Sequence, residues 1–328
     1  MKTGKISESV LKRSVLRQLH TRRQEVILGA GVGEDCSAIS VEAPCIMVFS
    51  TDPVTVSCEQ FGRFAVYCTL NDLASSGAEP IGIMTSLLLP TSTNEDELRK
   101  IIKQIDEVCE QTKVQVLGGH TEVTRVVSQP VITVTGVGKA VVPDVISTAA
   151  VKPGMDILAT KWIALEGTAI LAQRMEEQLL GHFSQPFIDK AKQLEVYIPV
   201  WSEAAVAVKS GISAMHDVSE GGIFGALWEM AECAGVGLEI DLKRIPIRQE
   251  TVEICEFFDI NPYKLMSGGC MLMAAENGTS VVRALESEGI SAVIIGKATD
   301  GNDRVLLQGN ERRFLETTQT DEIHKVLR

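Results

Sequence analysis

Apolar residues recur along the chain in two rhythms, one with helical spacing and one of short unbroken runs. From Ser7 to His20 the positions Val10, Leu11, Val15 and Leu19 fall on one stripe, with Ser7 available as N-cap, so the spacing predicts a first helix. Residues 45–51 (CIMVFST) and 81–89 (IGIMTSLLL) are runs bounded by Pro or Gly, which suits buried strands better than helices of that length. Between them Phe61, Phe64, Ala65, Cys68 and Leu73 repeat with helical spacing, and the pattern stops at Gly77, a normal residue past a helix C-terminus. Residues 92–95 read as a capping box ahead of Leu98, Ile101, Ile102, Ile105 and Cys109. Residues 114–117 and 131–137 then read as strands.

Near Ala150 the text turns to Val151-Lys152-Pro153-Gly154, a turn signal before a new strand over 155–160. The expected division is therefore 1–150 and 151–328. Beyond it, strands are expected over 238–241, 271–274 and 292–295, and helices near 167–180, 201–210, 222–235 and 279–288. No fixed-period repeat appears, and the last dozen residues are expected to fray. The Met residues and Trp162, Trp201 and Trp228 read as core. Alternating strands and helices in both halves make this an α/β chain of two domains, as does its length of 328 residues.

With 45% hydrophobic and 23% charged residues the chain has enough apolar surface to fold. Its 43 acidic and 31 basic residues give −12, and no basic stripe occurs, which excludes a nucleic-acid backbone binder. Eight cysteines stand without a C-x-x-C pair or a neighbouring histidine, so reduced thiols are expected rather than zinc or disulfides. There is neither a signal-peptide core nor a run of about 18 apolar residues, so no membrane span is expected and a cytoplasmic setting is.

Acidic residues recur where strands are expected to end: Asp35, Asp52, Asp72, Glu122 and Asp217. Carboxylates beside Gly-rich loops are what magnesium triphosphate requires, because hard oxygens hold the cation while backbone amides approach the phosphates. Gly29-Ala30-Gly31-Val32-Gly33 has neither the Lys-Ser/Thr of a P-loop nor G-x-G-x-x-G spacing, and by itself reads as a turn. Asp52 and Asp72 taken singly read equally as turn or cap residues. His120 and His216 read as structural hydrogen-bonding groups or as bases. No G-x-S-x-G elbow is present, and Cys36 is the only thiol beside a candidate site.

Taken in order, GEDCSAI (33–39), STD (50–52), NDLASSGAEP (71–80), GGHTEV (118–123), EGTAIL (166–171), HDVSEGG (216–222) and SGG (267–269) resemble the AIR synthase-related superfamily across roughly residues 1–310. That superfamily includes aminoimidazole ribonucleotide synthetase, thiamine-monophosphate kinase, selenophosphate synthetase and the HypE group. The resemblance implies a PurM-like ATP-dependent enzyme of two α/β domains. Its N-terminal domain would form a β-barrel at a homodimer interface, and the nucleotide would lie in a cleft. Carried over by position, Asp35, Asp52, Asp72 and Asp217 would hold Mg²⁺. Gly31, Gly33, Thr51, Asn71, Gly118, Gly119, Thr121, Glu122, Ser219, Gly221 and Gly222 would bind ATP, and Asp72 and His120 would be catalytic.

The wording is most similar to the HypE-related branch. HypE proper ends in Pro-Arg-Ile-Cys, whereas this chain ends His324-Lys325-Val326-Leu327-Arg328, so the resemblance implies a different acceptor, an amide, carboxyl or phosphate oxygen of a small molecule. A thiamine-monophosphate kinase-like enzyme and a non-catalytic nucleotide-binding maturation subunit stand as alternatives.

Overall fold

The computed structural model describes the chain except residues 1–3, 6–9, 29–37, 42–43, 57, 142–144, 317, 319 and 328. It divides into two compact units, one of Met1–Leu73 with Ala78–Val145, the other of Ala74–Gly77 with Ile146–Arg328.

The first unit is built on five strands: β1 (Gly4–Lys5), β4 (Cys45–Val54), β5 (Glu79–Pro90), β6 (Gln115–Thr124) and β7 (Val131–Val141), hydrogen-bonded in the order β1-β6-β5-β7-β4. β2 (Val26–Leu28) and β3 (Ala38–Ile39) make a separate ribbon. Two helices complete the unit. α1 (Phe61–Ser75) is buried over most of its surface, as its near-uniform apolarity requires. α2 (Glu95–Thr112) buries Leu98, Ile101, Ile102, Ile105, Val108 and Cys109 on one stripe.

Three expectations are corrected here. The capping box is Asn94 with Glu97, two residues later than expected, because the Asn94 carboxamide oxygen accepts from the Asp96 and Glu97 amides at 2.9 and 3.0 Å. The first stripe is not a regular α-helix: Leu11–Val15 is a π turn and Leu16–Gln18 a 3₁₀ turn. Arg13 and Ser14 there bind the Glu95 carboxylate of α2, a tertiary tie that overrides the local pattern, and the Ser7 cap lies outside the described residues. Gly118 to Glu122 lie inside β6, not in a loop. The five-stranded sheet is open within one chain; the expected barrel is one formed between two copies.

The second unit carries seven strands in the order β14-β13-β10-β12-β8-β11-β9: β8 (Asp156–Thr160), β9 (Ala214–Asp217), β10 (Gly237–Asp241), β11 (Met271–Ala275), β12 (Ala292–Thr299), β13 (Arg304–Gln308) and β14 (Glu311–Phe314). Alternate residues of β8 and β11 enter two different cores. Ile157, Ala159, Leu272 and Ala274 pack with α7 (Gly222–Ala234). Leu158, Met271 and Met273 pack with α6 (Trp201–Lys209) and α9 (Gly278–Ser287). Both faces are thus covered, which is why β11 reads as one unbroken apolar run. The expected helix over 167–180 divides at Met175 into α3 (Leu165–Arg174) and α4 (Glu176–Leu180). Helices α5 (Gln185–Lys192) and α8 (Gln249–Phe257) stand where no element is expected from the sequence.

Two further expectations fail in this unit. Trp201 and Trp228 are half-buried and pack against the two cores, but Trp162 belongs to neither core; Arg248 and Arg304 lie over the Trp162 and Trp228 rings at 4.8 and 4.0 Å. The described residues 321–323 of the C-terminal segment are packed rather than frayed. Asp321, Glu322 and Ile323 are buried, and the short helix α10 (Ile323–Val326) begins there.

Candidate functional site

In the first unit the alternation of β4 sends Ser50 and Asp52 toward α1 and Thr51 to the opposite face. The Ser50 hydroxyl donates to Asp72 Oδ2, from α1, and lies 3.3 Å from Asp52 Oδ2. The Thr69 hydroxyl, one turn before Asp72, lies 3.4 Å from the same Asp52 oxygen and 3.3 Å from the Val134 carbonyl. Two carboxylates that are distant in sequence are therefore gathered around one hydroxyl. Both are half-buried, and Asn71 beside them is buried.

The GGHTE segment is arranged differently. Gly119 pairs with Thr85 at φ +152°, and a Cβ there would lie 2.0 Å from the Thr85 carbonyl oxygen, so only glycine fits. Thr121 is buried alongside Leu87, whereas the exposed His120 and the half-buried Glu122 lie on the other face, with Nε2 and Oε2 3.4 Å apart. Thr51 shares that outer face, its hydroxyl 2.9 Å from that of Thr135. The structure thus brings Asp52 and Asp72 together and sets Thr51, His120 and Glu122 on the reverse side of the sheet. Gly31, Gly33 and Asp35 lie outside the described residues.

In the second unit Asp217 ends β9, and Ser219, Gly221 and Gly222 form the turn into α7. Gly221 and Gly222 have φ of +82° and +63°; a Cβ on Gly222 would meet the carbonyl oxygens of Tyr263 and Leu265 at 2.6 and 2.7 Å. The turn is stitched to the SGG segment: the Ser267 amide donates to the Ser219 carbonyl at 3.1 Å, and the Val218 amide to that of Cys270 at 3.0 Å. His216 makes a 3.0 Å contact with Glu229 Oε2, which favours its structural reading.

Two carboxylates that sequence reasoning missed support this turn. Glu166, in the first turn of α3, is 3% exposed and accepts from the Gly268 amide at 3.1 Å. Burial pushes its carboxyl up to about 7, against the pull of the Gly268 amide; the charges of Asp321, Asp217 and Glu220 act in the same direction as burial. Asp321 is 1% exposed, and burial raises its carboxyl as well. Glu166 stands in the EGTAIL motif, where a lone acid opening an apolar helical run was a readable signal. Asp321 stands in no motif.

Among the described residues one further cluster has metal-ligand types: His20, Asp106 and Glu110, whose donor atoms lie within 4.8 Å of one another. Its His20 Nδ1–Asp106 Oδ2 separation of 2.6 Å is a charge-assisted hydrogen bond, tighter than the roughly 3 Å between ligands of one cation. The cluster fastens the chain at His20 to α2. A cavity of about 320 Å³ beside Lys190, Tyr197 and Arg248 involves none of the sequence-predicted site residues. Among the described residues no helix is long and apolar enough to cross a membrane.

Residues 33–140 match the N-terminal domain of AIR synthase related proteins, and residues 152–308 match the C-terminal domain. A putative hydrogenase expression/formation protein of Methanocaldococcus jannaschii is 29% identical over 93% of this chain and 91% of its own. Carbamoyl dehydratase HypE of Rhodobacter capsulatus is 30% identical over 77% of this chain and 75% of its own. The fold resembles a crystal structure of hydrogenase maturation protein HypE in complex with ATP, with a TM-score of 0.79 at 19% identity over 96% of this chain and 95% of that one.

Proposed function

Starting from the fact that the chain belongs to the AIR synthase related family and is related to HypE, we propose that it is an ATP- and Mg²⁺-dependent enzyme. It would transfer the γ-phosphoryl group to an oxygen of a small acceptor, an amide, carboxyl or phosphate oxygen. The observation that carries this reading is the meeting of Asp52 and Asp72 at the Ser50 hydroxyl. Hard carboxylate oxygens gathered at one spot suit Mg²⁺, which when bound would offset the charge of a triphosphate.

In this reading Asp52 and Asp72 hold the cation, Ser50 and Thr69 orient the two carboxylates, and Asp35 and Asp217 are proposed as metal ligands from their motifs alone. Gly118 and Gly119 admit the phosphates close to backbone, and Ser219, Gly221 and Gly222 offer a helix N-terminus to them. Thr51, Asn71, Thr121 and Glu122 would contact the nucleotide from their own positions. His120, Thr51 and Glu122 are the least supported members, because their side chains leave the sheet on the face away from Asp52.

That same outer face supports a homodimer. Phe49 is 64% and Met84 40% exposed there, on a sheet whose other side is covered by α1. Pairing two such sheets would bury this apolar surface and close the barrel that one chain leaves open.

The test is Asp72→Asn. The variant is expected to keep its fold and lose metal-dependent ATP turnover. Wild-type protein at about 100 times the dissociation constant of Mg-ATP should gain roughly 2.7 kcal/mol. Undiminished turnover in the variant removes Asp72 from the site, and absence of wild-type stabilisation removes the nucleotide.

A further inference from the structure

Two segments far apart in sequence, 261–266 and 321–323, converge on the Gly221–Gly222 turn. The Asp321 carboxylate accepts from the Gly221 amide through Oδ2 at 2.7 Å and from the Ile323 amide through Oδ1 at 2.9 Å, and the Met266 backbone also faces it. Glu322 continues the grip: its Oε2 accepts from the Asn261 amide at 3.1 Å, and its own amide donates to the Lys264 carbonyl at 3.3 Å. The 261–265 segment held in this way supplies the Tyr263 and Leu265 carbonyls against which Gly222 packs.

The geometry points to Asp321 as a positioning residue for nucleotide binding: its carboxylate holds the left-handed Gly221–Gly222 turn, and with it the first turn of α7, in the shape that receives phosphate. This rests on the nucleotide reading given above. The physical argument is that two consecutive positive-φ glycines are the least self-determining backbone in the unit. A turn of that kind keeps one geometry only where its amides have fixed, buried partners, and Asp321 supplies that partner for Gly221 from 100 residues away. An anion that is 1% exposed and already accepts two backbone amides is satisfied there, so it serves the turn and not the ligand.

The experiment titrates Mg-ATP into the full-length chain by calorimetry, for wild type, Asp321→Asn and Asp321→Glu. Backbone hydrogen exchange is read over residues 219–225 in parallel. Asn keeps one acceptor but presents an NH₂ to a donor, so its dissociation constant is expected to rise about tenfold, with Gly221 and Gly222 losing protection. Glu, which keeps the charge, should recover most of both. A residue acting on stability alone lowers the unfolding midpoint while leaving the constant of the folded fraction unchanged. That pattern, or tighter binding by Asp321→Asn, overturns the proposal. Should the Asn variant fail to fold, the Glu variant decides: wild-type affinity together with wild-type protection supports the rescue, and wild-type affinity with protection lost refutes the link. Failure of wild type to bind removes the nucleotide reading and this proposal together, whereas wild-type binding with an unaltered Asp321→Asn constant removes this proposal alone.

Discussion

Replacing Glu166 with Gln exchanges a buried carboxyl for a neutral group of the same shape that can still accept from the Gly268 amide. In the unfolded chain this carboxyl titrates at its ordinary 4.5, and in the folded chain burial lifts it to about 7. Below pH 4.5 both states hold the proton and the cost of burying the group is smallest. As pH rises from 4.5 through 7 the unfolded state ionises freely and the folded state resists, so stability falls; above 7 the loss is complete. At about 1.4 kcal/mol per tenfold change in proton affinity, the wild type loses roughly 3 kcal/mol across that window. The Glu166→Gln variant, with no proton to lose at this position, is spared that penalty. For a unit of this size the difference is roughly 6–12 °C in Tm. All three tryptophans lie in the second unit, at 162, 201 and 228, so their fluorescence follows this transition alone. Urea unfolding of both proteins in chelator at pH 4 and pH 8 should show near-equal midpoints at the acid end and a clear advantage for Glu166→Gln at the basic end. Parallel stability curves for the two proteins would refute the reasoning.

Three further outcomes concern the first unit. Gly119→Ala puts a Cβ 2.0 Å from the Thr85 carbonyl oxygen and should cost about 3 kcal/mol or more, read as loss of soluble folded protein or a lowered urea midpoint. Asn94→Ala removes an acceptor for two amides at the start of α2 and should cost about 1 kcal/mol, with helix content retained. Glu25 is held down to about 2 by the Arg23 guanidinium and the Lys139 ammonium, so its stabilisation is present above pH 4.5 and fades as pH falls toward 2. Glu25→Gln should therefore be the less stable protein at pH 7 and match wild type near pH 2, as followed by far-ultraviolet circular dichroism.

What is legible in the sequence divides along physical lines. Apolar rhythm locates β4, α1, β5 and α2 within a few residues, because each buries a contiguous run or stripe. The order of short acidic and Gly-rich segments points to the family. Less legible is anything settled by a distant partner. Ser50 reads as one polar letter of STD until Asp72 returns to it from α1. Asp321 sits in a polar stretch that reads as a loose end until its carboxylate meets the Gly221 amide 100 residues away. The capping box is ambiguous by pattern because 92–95 and 94–97 both fit, and only the Asn94 geometry distinguishes them. Motif order groups His120 with the aspartates, yet it carries no information about which side of a strand a residue leaves.

That side is decided by a single residue. Ile83 of β5 stands opposite Val116, but its neighbour Met84 stands opposite Gly118, so Leu117 is inserted without a counterpart. In a strand with no such insertion the parity of Val116 would carry through 118, 120 and 122, turning an imidazole and a carboxylate inward among Ile83, Leu87 and Leu89. The insertion reverses odd and even downstream, so Thr121 and Val123 fill the interior while His120 and Glu122 reach water. Deleting Leu117 would therefore leave the downstream facing as it is, because Gly118 would follow Val116 directly and still stand opposite Met84, and its damage would fall on the gap left by a buried leucine.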